Sequence, residues 1–257
     1  MNWLEIILIF FIICASPVIG SYLATQAIRV AARRHVTPCK RSQCPTCHHL
    51  LNWLDLLPIF SYLLLKGRCR YCDKPISTIY FFSELISLIT TITTIFLFHY
   101  HLTIEMLSTV SMAWFLIGLS IFDIKTRRLP DVYTIPFLIT GLLQSYYFNF
   151  LELPDSFIGM LTGGVIASTV AIFYKHIRGR IGLGWGDVKL IAAFGSWLGW
   201  QILPFFILGS SVLGILFLLI KNNNNYHVIS RQDKIPFGPF LCGVGWFIWL
   251  LKMRSCI

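Results

Sequence analysis

Charge is what this sequence has least of. Only 12% of its 257 residues are Asp, Glu, Lys or Arg, against about 25% in a typical soluble domain. Acids are the scarcest, with 11 in all. So little charge argues against a soluble globular domain. The long hydrophobic runs do not alternate with polar residues, which argues against a transmembrane β-barrel. The sequence has no internal repeat and no long low-complexity tract. No Lys or Arg precedes Arg29, and the opening "MNWLE" carries only an acid. The first apolar run therefore does not read as a cleaved signal peptide, which needs a basic leading segment.

Apolar surface is abundant. Hydrophobic residues make up 56% of the chain and the mean hydropathy is +0.72. This predicts an all-α polytopic membrane protein with about eight transmembrane helices. They are expected near 3–25, 79–98, 104–122, 132–150, 157–174, 187–203, 205–220 and 235–251. The sixth and seventh are short and meet at Pro204, which suggests a tight hairpin. The expected organisation is a first helix (1–25), a cysteine-rich cytoplasmic domain (26–78) and a membrane domain (79–257). The run Asn222–Asn225 reads as a polar loop.

The basic residues are distributed unevenly. Taking alternate connections as cytoplasmic places 19 of the 21 Lys and Arg on that side: 9 in 26–78, 3 in 123–131, 4 in 175–189 and 3 in 221–234. The opposite connections, "HYHLTIE" and "LELPDS", hold none. The first basic cluster, Arg29, Arg33 and Arg34, follows the first span. The positive-inside rule then puts the N-terminus outside and the cysteine loop in the cytoplasm. The net charge of +10 is accounted for by this topology and by contact with anionic membrane lipid. No nucleic-acid partner is expected.

Two CxxC pairs stand in the 26–78 loop, with 21 residues between them: "CPTC" (Cys44, Cys47) and "CRYC" (Cys69, Cys72). Each pair can present two sulfurs to one metal, and four thiolates close a tetrahedron around zinc. A reducing compartment disfavours disulfides. A closed four-sulfur site has no open coordination position, so the expected zinc is structural. Cys39 is left out of the site. The stretch between the pairs, "WLDLLPIFSYLLLKGRCRYC", is broken by Pro58 and Gly67 and reads as an interfacial helix.

Four acids lie near span ends: Glu84, Asp123, Asp131 and Asp187. Ionisable groups at such positions are costly and mark function. Asp131 follows Pro130 and reads as a helix N-cap. Asp187, in "GLGWGDVKL", could also be a cap. Asp123 has no such role, because an acid at a helix C-terminus opposes the macrodipole. Asp123 and Asp187 fall at the cytoplasmic ends of their spans, at one membrane depth. Gly182, Gly184 and Gly186 would let backbone approach closely or bend there. Two adjacent carboxylates cannot both ionise easily, so they share a proton. Such a pair can activate water toward a peptide carbonyl. The helix ends favour the anion on Asp187 and the proton on Asp123. Lys189 reads as a side chain reaching for the membrane surface.

These motifs together resemble the type IV prepilin peptidases, bifunctional leader peptidases and N-methyltransferases of the bacterial inner membrane. The matching stretches are "CPTC…LNWLDLLPIFSYLLLKGRCRYC", "PIS", Glu84-Leu85, "DIKTRRLPD", "GWGDVKLIAAFGSWLGW" and "IPFGPFL", spanning about residues 44 to 241. The resemblance implies that Asp123 and Asp187 are the catalytic pair of a GxGD intramembrane aspartic peptidase. It implies that Cys44, Cys47, Cys69 and Cys72 are the family's paired cysteines. It implies cleavage of a basic leader from type IV prepilins or pseudopilins at the cytoplasmic face, then N-methylation of the new terminus with S-adenosylmethionine. Gly67 and Arg68 in "KGRC" are taken as methyl-donor contacts. After the first span the chain reads "GSYLATQAIRVAARR", where the family has a motif like "GSFLNVVIYRLP". The rival readings are an ion-coupled transporter using the same acids and a zinc-bearing scaffold.

Overall fold

The computed structural model describes residues 2–32, 42–179, 182–223 and 236–256. Arg33, Arg34, Cys39 and the end of the Asn222–Asn225 run lie outside the described residues. Nine α-helices are found among the described residues: α1 (Trp3–Ala31), α2 (Phe60–Leu64), α3 (Thr78–Leu97), α4 (Ile104–Thr126), α5 (Asp131–Phe148), α6 (Leu153–Arg178), α7 (Trp185–Leu198), α8 (Leu203–Asn223) and α9 (Gly238–Cys256). All but the five-residue α2 fall where the eight spans are expected. Helices α1, α3, α4, α6 and α8 are long and apolar enough to cross a membrane. The chain divides into two compact units, Met1–Ile121 and Phe122–Ile257.

The first unit is built on α1 and α3. Gly20 of α1 lies so close to α3 that a Cβ there would stand 2.6 Å from the Ser83 carbonyl oxygen. With no hydrophobic drive between helices in lipid, small residues and hydrogen bonds hold them together. Ser16 Oγ donates to the Ser87 carbonyl (2.6 Å) and lies 2.7 Å from Thr91 Oγ1. Trp114 Nε1 of α4 reaches the same Ser16 hydroxyl at 3.3 Å. The cysteine loop also belongs to this unit.

The expected interfacial helix between the CxxC pairs is a 3₁₀ turn, Trp53–Leu56, followed by the five-residue α2. The break has a local cause. Pro58 cannot donate a helical hydrogen bond, and Ile59 takes φ 64°, a region that β-branched residues rarely enter. Trp53, Phe60 and Leu64 nonetheless stay exposed, at 73%, 68% and 81%, so the apolar surface expected of the segment is kept.

In the second unit α7 is the inner helix. It packs on α5, α6, α8 and α9, and Val188, Leu190, Ile191 and Ala193–Leu198 are buried. Its 14 residues span about 21 Å, less than the roughly 30 Å of a bilayer core. It starts after Gly184 and stops at Gly199, whose φ is 83°. A stripe of small residues on α6, Gly159, Gly163, Ala167 and Ala171, is buried. Gly159 and Gly195 meet backbone to backbone, since a Cβ on Gly195 would lie 2.1 Å from the Gly159 carbonyl oxygen. An aromatic cluster fills the other side of α7. Trp197 stacks on Phe137 at 5.1 Å and meets Trp249 edge-on at 5.2 Å. The Trp197 indole donates to the Phe137 carbonyl at 2.8 Å. Pro204 sits in the first turn of α8, where a missing N–H costs nothing.

Candidate functional site

Asp123 is buried at 6% exposure in the last turns of α4. The sequence leaves an acid there unexplained. The second unit explains it: the main-chain N–H of Gly238 donates to Asp123 Oδ2 at 2.7 Å. Gly238 is the first residue of α9, so the positive end of that helix faces the carboxylate and offsets the unfavourable end of α4. The fit is tight, with a Cβ on Gly238 standing 2.8 Å from Oδ2 and 3.0 Å from the Asp123 Cβ. The Arg127 charge also acts on Asp123.

Asp187 is the third residue of α7, and Gly184 is the N-cap. It is therefore not a cap by position, but its carboxylate takes the Gly184 backbone N–H, as an acid at the third helical position can. The charge on Asp123 is felt at Asp187. The fold thus brings the two acids singled out in the sequence, 64 residues apart, within electrostatic range of each other.

The glycines of "GLGWGD" have separate jobs. Gly186 receives the turn after α4, where a Cβ would lie 3.0 Å from that of Leu129. That turn is closed by Thr126 Oγ1 on the Phe122 and Arg128 carbonyls, with Arg127 at φ 51°. Gly182 lies against the Tyr174 ring, and Gly184 stands at the mouth of the Asp187 carboxylate. Asp131 is not a cap either, because Pro130 holds that position. Its carboxylate binds Lys189 Nζ at 2.7 Å, with both side chains about half exposed. Lys189 thus has a specific partner on α5.

The first unit holds a different site. The Sγ atoms of Cys44, Cys47, Cys69 and Cys72 all lie within 4.8 Å of one another. A tetrahedron with zinc–sulfur bonds of about 2.3 Å needs sulfurs about 3.8 Å apart; Cys44 and Cys72 are at 3.8 Å. The two halves are built alike. Cys44 N–H donates to His49 O and His48 N–H to Cys44 O, both at 3.0 Å. Cys69 N–H donates to Lys74 O (2.9 Å) and Asp73 N–H to Cys69 O (3.0 Å). His48 and Asp73 take the matching left-handed φ values of 58° and 57°. The His49 and Tyr71 rings, 3.6 Å apart, join the two halves.

Four thiols at this spacing cannot all ionise without a cation. Burial opposes the Cys44 anion, but hydrogen bonds from the Cys47 and Thr46 backbone and from the Cys47 and Cys69 thiols outweigh it and bring Cys44 down to about 6. At Cys72 the Lys74 backbone N–H favours the anion, but desolvation and the three other thiols push it up to about 12. A divalent metal would remove that conflict, so the donor set fits a metal.

Glu84 is buried on α3. Its Oε2 accepts the Ile59 N–H at 2.7 Å, and Ser21 of α1 also binds it. It ties the cysteine loop to both helices of the unit. Gly67 at φ 69° sits under the Tyr62 ring, and Arg68 pairs with Asp73 at 3.5 Å on the surface. Neither lines the cavity beneath the cysteines, whereas their neighbours Tyr62, Cys69 and Arg70 do. Sequence reasoning quoted Gly238 only within a motif and gave Asp55 and Arg70 no role. For Gly238 the available signal was a glycine at a helix start between Phe237 and Pro239.

These two sites define the class: an all-helical polytopic membrane protein with a paired-carboxylate centre and a four-thiol metal-type cluster. The description "type IV leader peptidase family" matches residues 110–219, and "bacterial peptidase A24 N-terminal domain" matches residues 14–98. A prepilin leader peptidase/N-methyltransferase of Aeromonas hydrophila is 35% identical over 218 residues, covering 82% of this chain and 71% of that protein. Its namesake from Pseudomonas putida is 37% identical over 212 residues, 80% of this chain and 70% of the other. One from Dichelobacter nodosus is 34% identical over 210 residues, with 81% and 70% covered. No solved structure matches. The chain belongs to the type IV leader peptidase family.

Proposed function

We propose that this protein is a bacterial inner-membrane aspartic endopeptidase that cuts the leader from type IV prepilins or pseudopilins and then N-methylates the new terminus. The observation that carries the reading is that the Asp123 charge acts on Asp187, with Gly238 N–H fixed on the first at 2.7 Å. The names of the relatives supply the reaction. The transport reading has no support among them.

The chemistry needs one proton on the pair. The ionised carboxylate takes a proton from water as the water oxygen bonds to the scissile carbonyl carbon. The protonated carboxyl donates to the carbonyl oxygen as its π electrons shift there. The resulting diol collapses: the C–N bond breaks, the leaving amine takes the proton held by the first acid, and one diol hydroxyl returns its proton to the second as the carboxylic acid forms. No covalent enzyme intermediate forms. Helix ends do not assign the proton, because both acids face a helix N-terminus and each holds one backbone N–H, Gly238 for Asp123 and Gly184 for Asp187. The roles stay interchangeable within one coupled pair.

The positive-inside asymmetry supports an N-terminus outside, with the acids and the cysteine loop at the cytoplasmic face. In this topology all eight long helices cross. Residues 26–78 form the cytoplasmic part and 79–257 the peptidase part. The thiols of Cys44, Cys47, Cys69 and Cys72 would hold a structural zinc ion that fixes the loop. S-adenosylmethionine, when bound, would supply the methyl group for the new N-terminal amine. The test is to incubate the purified protein in detergent with a prepilin and S-adenosylmethionine and to read the product by mass spectrometry. Leader loss with a methylated terminus supports the reading; ion flux in liposomes without processing would replace it with transport.

A further inference from the structure

The chain leaves α4 through "DIKTRRLP", which runs from Asp123 to Pro130, the N-cap of α5. All of this stretch lies in the second unit. Helix α4 ends at Thr126, and Arg127 follows with φ 51°. The Arg127 N–H donates to the main-chain carbonyl of Asp123 at 2.8 Å. This is the left-handed stop that helices usually make with glycine, which has no Cβ to clash. Here an arginine occupies it, and L side chains enter that region at a cost. The turn therefore needs support from elsewhere.

Thr126 supplies the support. Its Oγ1 lies 2.8 Å from the Phe122 carbonyl oxygen and 2.9 Å from that of Arg128, and it accepts the Arg128 N–H at 3.2 Å. A threonine bond back to the carbonyl four residues earlier is ordinary in a helix; Thr134, Thr162 and Thr169 make it too. The two contacts forward to Arg128 set Thr126 apart from these. One hydroxyl staples the last turn of α4 to the chain beyond the left-handed residue. Leu129, next in line, is buried. A Cβ on Gly186 would lie 3.0 Å from the Leu129 Cβ and 3.3 Å from its backbone nitrogen. The turn thus rests on the residue that precedes Asp187. Leu129 follows Asp123 by six positions, so a short path through the turn ties one acid to the other, and the Thr126 hydroxyl is its clasp.

Resting on the peptidase half of the function above, we propose that Thr126 is a positioning residue for leader cleavage: its hydroxyl locks the Arg127 turn, and the locked turn fixes the spacing of the Asp123 and Asp187 carboxylates. It acts through the two acids and not on the substrate. Arg127 is the poorer residue to test, because its charge also acts on Asp123 and a substitution would change charge and turn together. Thr126 carries no charge, so its variants alter the turn alone.

The experiment is steady-state cleavage of a prepilin by the full-length protein in detergent, for the unaltered chain, Thr126→Val, Thr126→Ser and Thr169→Val. The kcat, KM and melting temperature are measured for each. Valine keeps the shape and removes the hydroxyl; serine keeps the hydroxyl. Thr169 makes the backward helical bond at 2.7 Å on an exposed face of α6, so its variant controls for losing that bond. Misplacing a catalytic group by about 1 Å can cost on the order of 100-fold, so Thr126→Val is expected to lower kcat about tenfold or more. KM and the melting temperature should stay near those of the unaltered chain, since the lost interaction acts only on the chemical step. Thr126→Ser and Thr169→Val should keep the unaltered rate. An unchanged kcat in Thr126→Val, or equal losses in the valine and serine variants, would overturn the proposal and leave the peptidase reading intact. A loss confined to the melting temperature would also overturn it, because Thr126 would then only support the fold. No cleavage by the unaltered chain would overturn the peptidase reading, and the proposal with it.

Discussion

Asp123 on α4 and Gly238 at the start of α9 are joined by a 2.7 Å hydrogen bond across 115 residues of sequence. The contact leaves no room, because a methyl group on Gly238 would press on both Oδ2 and the Cβ of Asp123. Gly238→Ala is therefore expected to move the carboxylate rather than unfold the protein. A shift of about 1 Å at a catalytic group can cost on the order of 100-fold in rate. Leader cleavage should fall by about that factor while the melting temperature in detergent stays close to that of the unaltered protein. Cleavage at the normal rate would show that the contact is incidental.

The α6–α7 interface makes a paired prediction. Gly195→Ala forces a Cβ to within 2.1 Å of the Gly159 carbonyl, and backbone cannot give way as a side chain can. Overpacking of this kind costs about 1–3 kcal/mol, read as a lower melting temperature. Gly164→Ala, one residue from the same stripe, meets only the Ala192 Cβ at 3.5 Å and should be close to neutral. Equal effects of the two would mean that α6 and α7 do not approach as described.

Lys189 and Asp131 form an ion pair that is half exposed on both sides. Surface pairs contribute about 0–1 kcal/mol. Lys189→Met and Asp131→Asn should each shift stability by no more than that, and the double variant by no more than either alone. Their effect on cleavage should be larger than on stability if the pair orients the first turn of α7, where Asp187 sits. A drop in stability of several kcal/mol would mean that the pair is a main support of the α5–α7 contact.

Removal of the metal is expected to act on the first unit. Cys44→Ser combined with Cys69→Ser should reduce zinc from about one per chain to none, as measured by elemental analysis. The melting temperature in detergent should fall with it, because the cysteines hold the two halves of the loop together. A metal-free unaltered protein with an unchanged melting temperature would remove zinc from the account.

The spans were readable because apolar runs of membrane length are the strongest signal a sequence carries. All eight long helices fall where those runs lie, though α7 is shorter than a bilayer and owes its place to packing. The pairing of Asp123 with Asp187 was suggested by matched depth and by the mismatch of an acid with the α4 C-terminus. What relieves that mismatch, the α9 terminus at Gly238, was not readable, because nothing local links residues 115 positions apart. The cysteine pairs were legible by spacing, yet the segment between them was misread as one helix. Its apolar content survives in the exposed Trp53, Phe60 and Leu64, but Pro58 and the left-handed Ile59 divide it. Asp131 and Lys189 were read as a cap and a snorkelling side chain; their ion pair depends on how α5 meets α7. The cavity was invisible, since Asp55, Arg70 and Glu84 come from separate turns of the chain.

The most direct test of the account is cleavage of a prepilin by Asp123→Asn and Asp187→Asn, each measured alone. Both substitutions keep size and hydrogen-bonding atoms while removing the charge that the pair must exchange. A shared-proton mechanism predicts that either variant loses leader cleavage almost completely, on the order of 1,000-fold or more, as when one member of an interdependent catalytic set is removed. Full processing by either variant would contradict it.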